Sequence, residues 1–438
     1  MKRKANHYRK RRGSGWAVLA CSLLCAVAVC AGVYFWLGGS LETVPAAAPP
    51  ASAPPSSSQT GQAVSSLPPE SAPDAASLPS SGPEPEPEPE ITTVRVSASG
   101  DNLIHDGLYL QAKKRAAAAG KEGYDFAALY EHAASLYQNF DLNLINVETL
   151  MSDELTPSAY PRFCTPGDCA RELYRIGFRG FFLSNNHIYD KDGEGLASTL
   201  RFWDSMPEDA FTSGLYADEQ DFPVCEYNGI SFAFLAYTEM TNGLSTPAGA
   251  EKSVIYTSEE DVIRRQIEQA REKADVVVVS THWGVENTHE VTDRQRAFAQ
   301  KLADWGADIV IGTHPHVVQP IETVTSSDGR EVPVAYSLGN FVSAQDRVDN
   351  MVGIVLGFEV TKTTQPGGES EIAIDNISAT PVVMFYERYY ANMRLYLLRD
   401  YTDELAASHG LSGVTPAYVR SMLEEIVAPE YLKIGLRA

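Results

Sequence analysis

Six residues of metal-ligand type each stand just behind a strand-like run in this 438-residue chain. Thr92–Ser99 alternates and is β-branched, and it ends at Gly100-Asp101. Asp141–Val147 ends at Glu148, and Phe178–Leu183 runs into Ser184-Asn185-Asn186-His187. Asp275–Ser280, apolar enough to be buried on both faces, leads to Thr281-His282-Trp283-Gly284. Asp308–Ile311 leads to Gly312-Thr313-His314-Pro315-His316. Helical spacing fills the gaps over Tyr124–Tyr137, Asp168–Ile176, Gly193–Trp203, Glu259–Lys273 and Thr292–Trp305. Pro223–Tyr227 and Ser231–Tyr237, joined at Asn228-Gly229, read as a hairpin. Later strands are expected over Pro333–Ser337, Gly353–Val360 and Glu371–Ile377, and a helix near Ala417–Ile426. The pattern predicts an α/β core with two sheets between helices. In such folds, sites gather at the carboxyl ends of the strands.

The residue types suit a cation. His314 and His316, at i and i+2 of an extended segment stiffened by Pro315, share a face. His282 ends a neighbouring strand. Gly100 lets the backbone turn before Asp101. Asn146 and Glu148 put an amide and a carboxylate on one side of a strand end. Asn186 offers a neutral oxygen, while the adjacent His187 points elsewhere and could hand a proton to a leaving oxygen. Asp190, with Gly193 and Gly195, leads into a helix N-terminus that would favour an anionic group. Each has a plainer structural reading: Asp101 as a turn residue or cap, Glu148 as a surface carboxylate, Asn185-Asn186 as a turn, Asp190 or Asp192 as a helix cap.

Ahead of this domain the composition changes twice. Lys2, Arg3, Lys4, Arg9, Lys10, Arg11 and Arg12 precede an uncharged run from Trp16 to Leu37. As a helix that run would be roughly 33 Å long, enough to cross a bilayer core of about 30 Å, with its basic flank in the cytoplasm. A retained signal-anchor is the favoured reading. A cleaved signal peptide, with Ala46-Ala47-Ala48 as a small-residue site, and a lipoprotein signal at Cys21 are the alternatives. Residues 38–90 turn to Pro, Ser, Ala and Glu and end in alternating Pro and Glu, so they read as a disordered, extended spacer. Three cysteines fall in the outer domain; Cys164 and Cys169 are near enough in sequence for a local disulfide, subject to geometry.

The motifs GDNLIHD (Gly100–Asp106), NVE (Asn146–Glu148), SNNHIYDKDGEG (Ser184–Gly195), THWGVE (Thr281–Glu286), GTHPHVVQ (Gly312–Gln319) and SLGNF (Ser337–Phe341) occur in this order. As an ordered set they resemble the CapA family of bacterial capsule and poly-γ-glutamate synthesis proteins, the PGA_cap domain, which is similar in fold to calcineurin-like metallophosphoesterases. The resemblance covers roughly Val94 to Val360. It implies a four-layer α/β/β/α domain over residues 91–385, with a basic tail (1–15), membrane span (16–37) and linker (38–90) before it and an extension (386–438) after it. It also implies Asp101, Glu148, Asn186, His282, His314 and His316 as metal ligands and His187 as the acid. Asn146, Asp190, Glu286 and Asn340 would support them. One or two divalent ions, Mn, Fe or Zn, would be held. The chain departs from the phosphoesterase pattern at Leu103, where a His is usual, and at Glu148, where an Asp is usual; His105 is a candidate substitute.

Two functions follow from the resemblance. One is a membrane-tethered, extracellular capsule or poly-γ-glutamate biosynthesis or export protein with a metal-dependent hydrolase-like site. The other is a non-catalytic accessory protein that binds polymer or assists assembly beside membrane synthetase subunits, its metal site vestigial. Nucleic acid is excluded as a partner by the net charge of −22. The basic N-terminus and acidic linker cancel, so residues 91–438 carry the same −22, and any polyanion would need a local basic groove.

Overall fold

The computed structural model describes residues 88–434. The expected tail and span, and the linker up to residue 87, lie outside them. Among the described residues no helix is long and apolar enough to cross a membrane.

Strands in chain order are β1 (Glu90–Asn102), β2 (Leu142–Val147), β3 (Met151–Ser152), β4 (Thr165–Pro166), β5 (Phe178–Phe182), β6 (Phe211–Ser213), β7 (Val224–Tyr227), β8 (Ile230–Thr238), β9 (Val276–His282), β10 (Ile309–Thr313), β11 (Ile321–Thr325), β12 (Glu331–Ala335), β13 (Asn340–Val342), β14 (Val352–Thr364), β15 (Ser370–Glu387) and β16 (Ala391–Leu397). The first sheet runs β16-β15-β14-β1-β2-β5-β6, with β13 pairing β1. The second runs β11-β12-β10-β9-β8-β7. β1, β2, β5 and β6 are parallel, as are β8, β9, β10 and β12, so the carboxyl ends within each group point the same way.

Side-chain alternation fixes the layers. Val277 and Val279 of β9, with Ala233 and Leu235 of β8, pack against Ile263, Ile267 and Leu302 of the helices Glu260–Lys273 and Asp293–Trp305. Val276, Val278, Phe232 and Phe234 turn the other way and join the core shared with the first sheet. Phe211 of β6 meets Phe234 of β8 across that interface at 4.5 Å between ring centroids. The first sheet's other partners include Leu108 and Ala112, Leu173, and Leu196 and Phe202, from the helices Asp106–Ala118, Asp168–Ile176 and Asp192–Asp204. The order is helices, sheet, sheet, helices. Each valine of β9 is fully buried, worth about 1.5–3 kcal/mol against leaving it exposed. This explains the uniform Val run: a strand covered on both faces has no polar side.

Several expectations need correction. Tyr124–Tyr137 is not one helix but a short turn of α-helix, Ala127–Tyr130, and a 3₁₀ segment, Ala134–Asn139. Phe126, Leu129, Tyr130, Ala133, Leu136 and Tyr137 are all buried, so the periodicity is real. The backbone nonetheless closes i to i+3 bonds, as from Leu129 N–H to Phe126 O and Leu136 N–H to Ala133 O. The helix Asp106–Ala118 was not expected. Its buried stripe is Leu108, Ala112 and Ala116, two of them too small to stand out among neighbouring alanines and lysines. β15 crosses the boundary expected at 385/386 and β16 pairs with it, so the start of the extension belongs to the first sheet. Cys164, Cys169 and Cys225 are free, with no disulfide between the first two.

Candidate metal centre

Four of the five strand ends and the loop after β10 converge on one buried cluster. β1 delivers Asp101, paired in register with Asn146 of β2 and Asn340 of β13. The close approach needs Gly100: a Cβ there would lie 2.0 Å from the Gly339 carbonyl oxygen. Gly312 is equally constrained, since its Cβ would meet the Tyr336 carbonyl oxygen at 1.9 Å. Beyond it, His314 and His316 take left-handed backbone angles, φ 94° and 59°. Imidazoles gain nothing from that conformation locally, so the fold imposes it, as is common where side-chain aim matters.

The contacts are dense. Asp101 Oδ1 accepts from Asn146 Nδ2 at 2.7 Å, and its two oxygens face the His314 N–H at 3.2 and 3.4 Å. His316 Nδ1 faces Asp101 Oδ2 at 3.2 Å, Asn340 Oδ1 at 3.1 Å and Glu148 Oε2 at 3.7 Å. His282 Nε2 faces Asn186 Oδ1 at 3.2 Å and Glu148 Oε1 at 3.5 Å, while its Nδ1 meets Thr313 Oγ1 at 3.0 Å. Asp101, Glu148, Asn186, His282, His314 and His316 are each at most 3 % exposed. Donor atoms of Glu148, His314 and His316 all lie within 4.8 Å of one another, a grouping that could hold a metal ion.

Charge is poorly satisfied by the protein alone. Both oxygens of Glu148, Asn146 Oδ1 and His314 Nδ1 are buried with no hydrogen-bond partner. A buried carboxylate left so is costly. Burial, and then the charge of Asp101, push the Glu148 carboxyl well above its ordinary range. Burial works to lower His316, but the carboxylates of Glu148 and Asp101 outweigh it and hold it up to about 9. His282 is held well below its ordinary value by burial and the other imidazoles, and His314 is lowered to about 4, again mainly by burial. Both are therefore neutral, as metal-ligating imidazoles must be. Donors about 2.1 Å from one ion stand roughly 3.0–3.4 Å apart, near the 3.2–3.7 Å spacings here. The residues fit a divalent cation.

His187 sits beside this cluster with a different role. Its Nδ1 lies 2.7 Å from Asp190 Oδ2, and its own N–H donates to Asn185 Oδ1 at 3.0 Å. Asp190 Oδ2 also accepts the Phe163 N–H at 2.6 Å, and the Phe163 ring packs edge-on to His187 at 4.7 Å. Asp190 thus orients an imidazole instead of capping a helix. Asn340 steadies His316 while its Nδ2 donates to Gln345 Oε1 and the Asn350 carbonyl, at 2.8 and 3.0 Å. Glu286 is exposed and reaches the centre only through its charge. Leu103 is buried and brings no donor. His105 does not stand in with its Nδ1, which accepts the Ala344 N–H at 3.2 Å. Phe163, Thr313, Gln345 and Asn350 carry no sequence signal, because Phe163 serves His187 and the other three serve a ligand or Asn340 through fold contacts.

Residues 95–345 match the sequence model of a family described as bacterial capsule synthesis protein PGA_cap. The chain is 30 % identical over 220 residues to the PGA biosynthesis protein CapA of Bacillus subtilis (strain 168), covering 50 % of this chain and 56 % of that protein. It is 32 % identical over 185 residues to the capsule biosynthesis protein CapA of Bacillus anthracis, covering 41 % of this chain and 43 % of that one. The matched region thus spans about half of each relative. Among solved structures, the NAD nucleotidase of Haemophilus influenzae aligns over 78 % of this chain and 57 % of its own, at 13 % identity and a TM-score of 0.37. At that score the architecture rests on its own sheet order, not on the alignment. With the family match spanning more than half its length, the chain belongs to the bacterial capsule synthesis protein PGA_cap family.

Proposed function

We propose that this protein is a metal-dependent hydrolase-like component of capsule or poly-γ-glutamate biosynthesis or export, tethered outside the cell membrane by residues 16–37. The observation that carries the metal reading is Glu148: fully buried, with both oxygens unpartnered and three imidazoles around it. Glu148, His314 and His316 would hold an ion, with Asp101, Asn186 and His282 as further donors beside them. A bound divalent ion supplies Lewis acidity toward a substrate oxygen and acidifies water. Leu103 leaves the Asp101 side one donor short, which favours a single ion or an unusually ligated pair.

The chain's own groups complete the chemistry. Asp190 fixes the Nδ1 side of His187, leaving Nε2 to carry a proton to a leaving oxygen. Asn146 and Asn340 hold Asp101 and His316 in position. The tether is supported by the basic flank and the uncharged run that follows it. The accessory reading is supported by Leu103, since a lost ligand is what a site no longer under catalytic demand would show.

The test compares wild type with His187→Ala on a generic phosphodiester and on poly-γ-glutamate, with metal content measured in parallel. Turnover that falls in the variant while metal stays bound supports the enzyme. Equal turnover in both proteins removes the acid role. Absence of turnover in metal-replete wild type on both substrates leaves the accessory reading standing.

A further inference from the structure

A second site lies away from the metal centre, in a cavity of about 480 Å³ between the helix Asp106–Ala118 and the turn joining β15 to β16. Its lining carries three cations, Lys114, Arg115 and Arg394, and no carboxylate. That is unusual in a chain with a net charge of −22. Most arginines among the described residues pair with an Asp or Glu, whereas Lys114, Arg115 and Arg394 form no ion pair there. Arg115 donates from Nε to the Asp125 carbonyl at 3.0 Å, and Arg394 to the Met393 carbonyl at 3.0 Å. Burial, and then the nearby Arg394 cation, hold the Arg115 guanidinium below its ordinary value. Two like charges are thus held close, and the Asp125 carboxylate offsets Arg115 less than Arg394 opposes it.

The turn opposite is built for display. Tyr389 and Tyr390 have φ of 62° and 56°, and Asn392 has 51°. Turns of this hand favour Gly or Asn, so bulky tyrosines here serve something other than turn stability. Tyr389 is 87 % exposed, with Arg388 5.4 Å from its ring, and Tyr390 stacks on Tyr386. Gln111 clamps the turn to the helix: its amide donates to the Tyr390 carbonyl and accepts the Met393 N–H at 3.2 Å. The groove is therefore a fixed feature.

We infer that the groove between the helix Asp106–Ala118 and the Arg388–Asn392 turn binds an extended polyanionic polymer through Lys114, Arg115 and Arg394, with Tyr389 as its aromatic rim. Paired guanidiniums suit planar carboxylates, which they grip in bidentate fashion. Concavity favours a chain over a flat membrane surface. The helix begins just after His105, near the metal centre, and rises roughly 15 Å to Arg115. The inference needs no metal and stands or falls apart from the hydrolase reading.

The probe is soluble poly-γ-glutamate, with neutral dextran and phosphatidylglycerol vesicles as comparison arms, tested on the full chain. Wild type should bind poly-γ-glutamate and not dextran. Arg115→Gln/Arg394→Gln should bind about tenfold or more weakly, and Lys114→Gln, which is solvent-facing and safe for folding, several-fold more weakly. Metal content and unfolding temperature should match wild type in Lys114→Gln. Binding by the double variant equal to wild type overturns the proposal, as does no wild-type binding to the polymer. Groove-dependent binding to vesicles alone also overturns it, in favour of a membrane contact.

Discussion

His316 Nδ1 lies 3.2 Å from Asp101 Oδ2, joining the loop after β10 in one sheet to the end of β1 in the other. Without a cation, the proton on His316 is what offsets the Asp101 carboxylate and any charge on Glu148. A divalent ion would take the place of that proton, and this exchange makes the centre sensitive to pH.

In metal-stripped protein the sign follows from the shift. His316 is raised from 6.5 to about 9 in the fold, so its contribution is fully present below about pH 6.5 and is lost as pH rises through about 9. Glu148, also raised, acts in the same sense: the fold favours its protonated form, and that contribution fades as pH rises above its ordinary range. Unfolding temperature of the stripped protein should fall between about pH 7 and about pH 9.5, and His316→Gln should flatten the decline. Metal affinity should rise over the same window, with proton release visible by calorimetry in buffers of different ionisation enthalpy. An identical slope in His316→Gln would contradict this assignment.

Glu148→Gln exchanges a buried, unpartnered carboxylate for a neutral amide of the same shape. The metal-free protein should become more stable, by about 1–3 kcal/mol in denaturant unfolding. Metal affinity should drop by about a hundredfold or more. A variant that is both less stable when stripped and equally good at holding metal would show that Glu148 is a structural residue.

Asp190→Asn keeps the shape beside His187 but changes which ring nitrogen is fixed. On any substrate that wild type hydrolyses, kcat should fall by about 10²–10⁴, as for loss of general acid catalysis, with KM and metal content little changed. A matched loss of bound metal would instead mean that Asp190 supports the ligands.

The strand ends were the most readable part of the chain. Asp101, Glu148, Asn186, His282, His314 and His316 follow runs whose alternation or uniform Val content reports burial directly, and the fold brings all of them into one cluster. The hairpin at Asn228-Gly229 and the helix opening at Thr292 were equally plain. In the latter, Thr292 Oγ1 accepts the Gln295 N–H at 3.1 Å while Gln295 Oε1 accepts the Thr292 N–H at 2.9 Å. What could not be read were relations between distant segments. No local pattern says that Gln345 steadies Asn340, or that Phe163 walls His187, or that β15 and β16 extend the sheet that starts with β1. The helix Asp106–Ala118 escaped because its buried face is largely alanine.

Gly312→Ala tests the backbone behind the two histidines. Its Cβ would press on the Tyr336 carbonyl oxygen, which belongs to a fixed backbone segment and cannot rotate away. The expected result is a loss of about 3 kcal/mol or more in unfolding free energy and a weakened metal site. Near-normal stability would mean that the chain after β10 can shift, and that the placement of His314 and His316 is less constrained than described.

The most direct measurement is the metal content of the full chain, purified without chelator and read by mass spectrometry of the elements, beside Glu148→Gln. At least one equivalent of a transition metal per wild-type chain is expected, and under a tenth of that in the variant. Wild-type protein that holds no stoichiometric metal after exposure to Mn, Fe or Zn, or a variant that holds as much as wild type, would contradict it.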